Sequence, residues 1–163
     1  MSRLSSIAES VAALLKQRGE TVAVSESSGG GMISAALLAV PGASAYFKGG
    51  AVVYTGPARD AFLGFSLDQH PDVRSASEPY ALLCAKAVRE RLGTTWGVSE
   101  TGAAGPSGNR YGDAAGHTCV AVSGLSEQAE TLETGLTGRA ENMELFAERA
   151  LEVFEQVLRR SAS

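Results

Sequence analysis

The residues best equipped for chemistry lie in the run Ser25-Glu26-Ser27-Ser28-Gly29-Gly30-Gly31. It joins a short β-branched segment, Thr21 to Val24, to an Ala/Leu-rich segment from Met32 to Leu38. The first reads as a buried strand and the second as a helix. Three successive glycines let the backbone approach a ligand closely and adopt positive φ without steric cost. The helix start that follows aims unpaired N–H groups and the positive end of its dipole into the same space. The hydroxyls of Ser25, Ser27 and Ser28 make that corner polar, and the sequence predicts an anion site at the start of the Met32 helix. A purely structural strand-to-helix turn is the competing explanation of the same residues.

Two further polar segments follow predicted strands: Tyr54-Thr55-Gly56, and the long loop opening Thr101-Gly102-Ala103-Ala104-Gly105-Pro106. If the strands are parallel, all three segments emerge at their carboxyl ends, where open α/β sheets bind ligands.

The elements that must hold these segments can be traced along the chain. Ser6 to Glu9 has capping-box spacing, and Ile7, Val11, Leu14 and Leu15 then fall on one helical face, with Gly19 as a stop. Gly49 to Tyr54 reads as a second strand. Gly56-Pro57 opens a short helix carrying Arg59 and Asp60 and closing at Leu63-Gly64. Ser77-Glu78-Pro79 opens a long helix to Leu92, capped by Gly93. Thr95 to Ser99, His117 to Ser123 and Glu130 to Thr134 supply three more strands, and a final helix runs from about Arg139 to Arg159, with Met143, Ala147, Leu151, Phe154 and Leu158 facing inward. Helices alternating with strands predict one domain over 1–163. Its expected form is a three-layer α/β/α sandwich around a mainly parallel sheet of about five strands.

Composition bounds the function. With 44% hydrophobic and 20% charged residues over 163 positions, this is a globular chain long enough for a real core. A net charge of −4 argues against nonspecific binding to nucleic acid or anionic membranes. No apolar run reaches the roughly 20 residues of a membrane span, and the N-terminus lacks a signal-peptide core, so a cytoplasmic protein is expected. Cys84 and Cys119 lack metal-ligand spacing and read as buried, reduced thiols; His70 and His117 stand far apart and add no cluster, so neither metal nor cofactor is expected. There is no G-x-x-x-x-G-K-[ST] motif, the glycine loop lacks the third glycine of the dinucleotide fingerprint, and neither histidine sits in a catalytic-triad context.

Taken together, the polar segments resemble the CinA C-terminal domain family, whose stand-alone form is nicotinamide-nucleotide amidase. The matching residues are Glu26-Ser27-Ser28-Gly29-Gly30, then Val40-Pro41-Gly42-Ala43-Ser44-Ala45-Tyr46-Phe47-Lys48-Gly49-Gly50 through Tyr54, then Thr101-Gly102-Ala103-Ala104-Gly105-Pro106. Ser77-Glu78 and Gly138-Arg139 match two lesser signatures, so the resemblance spans nearly the whole chain. It implies hydrolysis of the carboxamide of nicotinamide mononucleotide to the acid and ammonia, with a small pyridine nucleotide as partner. It places the serine nucleophile at Ser27, a tyrosine at Tyr54 and a threonine at Thr101. Ser25, Ser28, Gly29, Gly30, Gly31, Gly102 and Gly105 become the expected substrate-binding positions. Oligomeric state is left open, a homo-oligomer included.

Four positions depart from the family pattern. Ser28 and Gly29 replace Cys and Thr, His117 replaces a usual threonine, and Arg59 stands where the family carries lysine. A desolvated lysine can give up its proton and act as general base, whereas arginine stays protonated. The replacement bases within the sequence are Lys48, or Tyr54 assisted by the Arg59 cation. The alternative function is a catalytically impaired relative that binds a mononucleotide or phosphate without turnover.

Overall fold

The computed structural model describes residues 1–161, with five α-helices around one five-stranded sheet. Strands β1 (Val22–Glu26), β2 (Phe47–Val52), β3 (Trp96–Ala103), β4 (His117–Ser123) and β5 (Gln128–Glu133) lie in the order β2-β1-β3-β4-β5. β1 is parallel to both β2 and β3, but β3–β4 and β4–β5 are antiparallel. The sheet is therefore mixed, not mainly parallel as the sequence predicts. The reason is local: no helix intervenes between β3 and β4 or between β4 and β5, and a parallel pairing needs a long crossover.

Helices α1 (Arg3–Arg18), α2 (Met32–Leu38) and α5 (Arg139–Arg160) cover one face, and α3 (Gly56–Leu63) and α4 (Glu78–Leu92) the other. Strand alternation sorts the core by size. Val22, Val24, Trp96, Val98, Val120 and Val122 face the α1/α2/α5 side with Leu151 and Phe154. Ala23, Cys119 and Ala121 face α4, whose own contacts are Ala81, Cys84, Ala85 and Val88. The small side allows close approach: a Cβ on Gly97 would sit 2.0 Å from the Ala85 carbonyl oxygen.

Ends of elements follow their capping chemistry. Ser77 Oγ accepts from Tyr80 N at the start of α4, and Thr55 Oγ1 accepts from Ala58 N at the start of α3. The Ser6–Glu9 spacing is not used as a cap: α1 starts earlier, with Ser2 Oγ accepting from Ser5 N. In the strand order, β1 connects outward to β2 while β3 lies on its other side, so chain direction diverges between the carboxyl ends of β1 and β3. That is where such sheets open a crevice.

Candidate functional site

A crevice of about 280 Å³ opens at that point, and Ser27, Tyr54, Arg59, Thr101 and Gly102 all line it. Ser27 follows β1, Tyr54 follows β2, Arg59 sits in the first turns of α3, and Thr101 lies near the end of β3. Ser27, Tyr54 and Thr101, the three residues that the carboxyl-end argument expects together, thus share one cleft, and Arg59 joins them from α3. Ser75, Ala76, Tyr80, Asn109 and Tyr111 complete the walls.

The remaining expected binding positions lie elsewhere. Ser25, Ser28, Gly29, Gly30, Gly31 and Gly105 do not line the cleft. Ser25 is buried beneath it and Ser28 Oγ donates to Gly102 O at 2.6 Å, tying the glycine loop to β3. Gly31 caps α2 at φ 103°, and Gly105 O accepts from Arg139 Nη1 at 2.6 Å.

The predicted anion site at the start of α2 is already filled by the protein itself. Glu26 Oε1 accepts from Gly31 N (3.1 Å) and Ile33 N (3.0 Å), and its Oε2 accepts from Ser34 N at 2.9 Å. Glu100 Oε1 accepts from Ser27 N (3.0 Å) and Gly29 N (2.6 Å). Both carboxyl groups are buried. The N–H groups that would cradle a phosphate hold two side-chain carboxyls instead, which satisfies the helix dipole internally. These same oxygens explain Gly29: a Cβ there would lie 2.8 Å from Glu26 Oε1 and 2.9 Å from Glu100 Oε1.

The cleft-side chemistry is cationic and hydroxylic. Arg59 has a side chain 12% exposed and an ion pair with Asp60 at 3.1 Å. Burial works against its charge, but hydrogen bonding to the Tyr80 hydroxyl and to Asp60 outweighs it, so Arg59 is held protonated. Burial pushes the Tyr80 phenol up, and the Cys84 thiol behind it up to about 12. The Tyr54 hydroxyl accepts from Arg139 Nη2 at 3.0 Å, so its neighbouring cation is Arg139 of α5. Lys48 does not line the cleft. It lies near the opposite, amino end of β2 and donates to Ser44 O, six residues or roughly 20 Å along the strand from Tyr54.

Thr101 Oγ1 accepts from Ala76 N at 3.2 Å, which leaves its own hydrogen free to donate into the cleft. Ala76 has φ 56°, a left-handed conformation rare for a residue with a Cβ, and its carbonyl accepts from His117 Nε2 at 2.8 Å. His117 Nδ1 meets Glu133 Oε2 at 2.5 Å, and Asp113 lies 3.5 Å from Nε2. Burial opposes the imidazolium, but the Ala76 carbonyl and the two carboxylates prevail and its pKa is raised. Asp113 in turn takes two bonds from Arg74, which holds the carboxyl below its usual range.

Sequence reasoning missed Glu100, Tyr80 and Tyr111 as parts of the site, and left Arg139 as a motif match without a role. A signal for Glu100 existed: a lone carboxyl at the end of an otherwise buried strand is exceptional.

The fold and cleft define an α/β protein with a polar crevice at the divergence of its sheet. The chain belongs to the CinA family: the CinA C-terminal domain model matches residues 4–158. A CinA-like protein of Prochlorococcus marinus (strain MIT 9313) is 38% identical over 155 residues, 94% of this chain and 36% of that protein. One from Gloeobacter violaceus is 36% identical over 156 residues, 96% of this chain and 34% of the relative. The chain thus spans about a third of the length of these relatives. The crystal structure of the competence/damage inducible protein CihA from Agrobacterium tumefaciens superposes with a TM-score of 0.89 at 26% identity, covering 98% of each chain. A Klebsiella pneumoniae competence damage-inducible protein A shares the fold, with a TM-score of 0.92 at 20% identity and coverage of 99% of this chain and 100% of that one. Among the described residues no helix is long and apolar enough to cross a membrane.

Proposed function

We propose that the cleft binds nicotinamide mononucleotide and hydrolyses its carboxamide through Ser27. The observation that carries this reading is the convergence of Ser27, Tyr54 and Thr101 on one crevice together with Arg59. In the proposed reaction Ser27 Oγ bonds to the carboxamide carbon, its proton passes to a base, and the C–N bond breaks as ammonia leaves with that proton. Water then hydrolyses the acyl-serine to release the acid and regenerate Ser27. Thr101 Oγ1, which keeps its hydrogen after accepting from Ala76 N, supplies a donor for the oxyanion. Tyr54, with Arg139 beside its oxygen, is the group available as base; Arg59 is committed to its charge and serves to hold anionic oxygen.

A second reading, a mononucleotide-binding domain without turnover, is favoured by one observation. Among the described residues lining the cleft there is no lysine, histidine or carboxylate. Ammonia release from nicotinamide mononucleotide decides between the two. The hydrolase reading expects slow release in the wild type, none in Ser27→Ala, and faster release in Arg59→Lys, where a base is returned to its family position. A well-placed general base typically contributes about 10²–10⁴-fold. No release from the wild type and none restored by Arg59→Lys would overturn the hydrolase reading and favour the binding domain.

A further inference from the structure

The buried pair of carboxyl groups behind the glycine loop is unequal, and hydrogen-bond counting shows how. Glu26 accepts three N–H bonds spread over both oxygens, the pattern of a carboxylate. Glu100 differs. Its Oε1 accepts from Ser27 N and Gly29 N, and its Oε2 lies 3.2 Å from Thr118 Oγ1. That hydroxyl is also 3.1 Å from the Thr101 carbonyl oxygen. Thr118 has one hydrogen and faces two acceptors. Hydrogen bonding alone therefore leaves room for a proton on Glu100 Oε2, and its surroundings favour one: Glu100 is buried, has no ion-pair partner among the described residues, and crowds the Glu26 carboxylate, a Cβ on Gly29 lying 2.8 Å from Glu26 Oε1 and 2.9 Å from Glu100 Oε1.

We propose that Glu100 is a positioning residue for the Ser27 loop that works as the neutral acid, and that its ionisation is an off switch for the cleft. This rests on the reading of Ser27 as the reacting group. Loss of the proton sets a second buried negative charge beside Glu26. It also draws the Thr118 hydroxyl, which lies within reach of the Thr101 carbonyl, toward Glu100. The charge would further oppose the anionic oxygen that develops beside Ser27 during amide hydrolysis.

The titratable and charged groups around Glu100 support a switch near neutrality. Glu26 faces it from the end of β1 and the Cys84 thiol from α4, while β4 contributes only the Thr118 hydroxyl. Arg59 of α3 and Arg139 of α5 stand on the cleft side of the loop. Burial, the largest cause, and the Glu26 charge raise the Glu100 pKa to about 7, against the N–H bonds from Gly29 and Ser27.

The test is a side-chain ¹³C titration of glutamate-labelled protein, assigned with Glu100→Gln, a mimic of the protonated acid. Glu100 should titrate near neutrality, and the amide signals of Ser27 and Gly29 should follow the same curve in the wild type and stay flat in Glu100→Gln. A midpoint below about 5, in the ordinary glutamate range, or flat Ser27 and Gly29 amides in the wild type, would overturn the proposal. Calorimetric affinity for nicotinamide mononucleotide gives the functional arm. The wild type should lose about tenfold between pH 6 and pH 8, the equivalent of one coupled pKa unit, and Glu100→Gln should lose less than about twofold. An equal loss in both proteins also overturns the switch. If the wild type binds no mononucleotide at either pH, the functional reading falls, while the titration still decides the role of Glu100. Should Glu100→Gln fail to fold, the wild-type titration decides alone.

Discussion

Tyr54 and Arg139 show what single residues contribute to this cleft. Arg139 spans two elements, giving Nη1 to the Gly105 carbonyl and Nη2 to the Tyr54 hydroxyl. If Tyr54 takes the Ser27 proton, the guanidinium must stabilise the phenolate. Arg139→Ala should then cut ammonia release by about 10²-fold, within the range of a lost acid–base partner, with Arg139→Lys keeping part of it. Equal release from both variants and the wild type would remove Tyr54 from the reaction. Gly29 supports a stability prediction at the same scale. Its missing Cβ leaves room for Glu26 and Glu100, whose oxygens are fixed by several hydrogen bonds each, so neither can yield. Gly29→Ala should destabilise the protein by ~2 kcal/mol, the usual cost of overpacking a rigid site, measured by urea unfolding. The cleft residues Ser27, Tyr54 and Thr101 were legible in the sequence because polar segments stand at the ends of three predicted strands. The occupancy of the anion corner was not, because it depends on Glu100 arriving from a strand 73 residues beyond Ser27.

At the scale of elements, capping and breaker signals placed the helices well. Gly56-Pro57, Ser77 and Gly93 stand at the ends of α3 and α4 as expected. Strand ends were less legible. β3 continues to Ala103, taking in Thr101 and Gly102, because its pairing with β4 extends as far as His117. Sheet direction was lost for a related reason: local periodicity is the same for parallel and antiparallel neighbours. The segment before α4 carries its own prediction. Ala76 is held at φ 56° by bonds on both sides, from His117 to its carbonyl and from its N–H to Thr101. The left-handed conformation costs a residue with a Cβ about 1–2 kcal/mol, and glycine loses part of that gain through unfolded-state entropy. Ala76→Gly should therefore stabilise the fold by ~0.5–1 kcal/mol, raising Tm by about 1–4 °C in differential scanning calorimetry. A lower Tm would show that the strain is absent.

For the whole molecule, three buried or half-buried groups set the response to pH. Glu100 holds its proton more tightly folded than unfolded, so its contribution is full below the ordinary carboxylate range and is lost as pH rises through about 7. His117 has the same sign: its raised pKa gives stability below the usual imidazole value that is lost as pH rises through the higher folded one. Asp113, held low by Arg74, acts oppositely and loses its contribution as pH falls. On these three groups stability should thus peak at about pH 4 to 5, between the Asp113 loss on the acid side and the Glu100 loss above it, and decline toward pH 8. Thermal melts across that range check this, and Glu100→Gln should flatten the decline. The mixed sheet also bears on how the molecule assembles. The β3–β4–β5 meander is contiguous in sequence, so it closes short loops, whereas β1 must find β3 across the span from Val22 to Trp96. The cleft draws its walls from both sides of that late pairing. A chain that has folded only its meander has Thr101 but neither Ser27 nor Tyr54 beside it, so ligand-binding capacity should appear only in the last refolding phase, and nascent or partly folded chains are silent by construction.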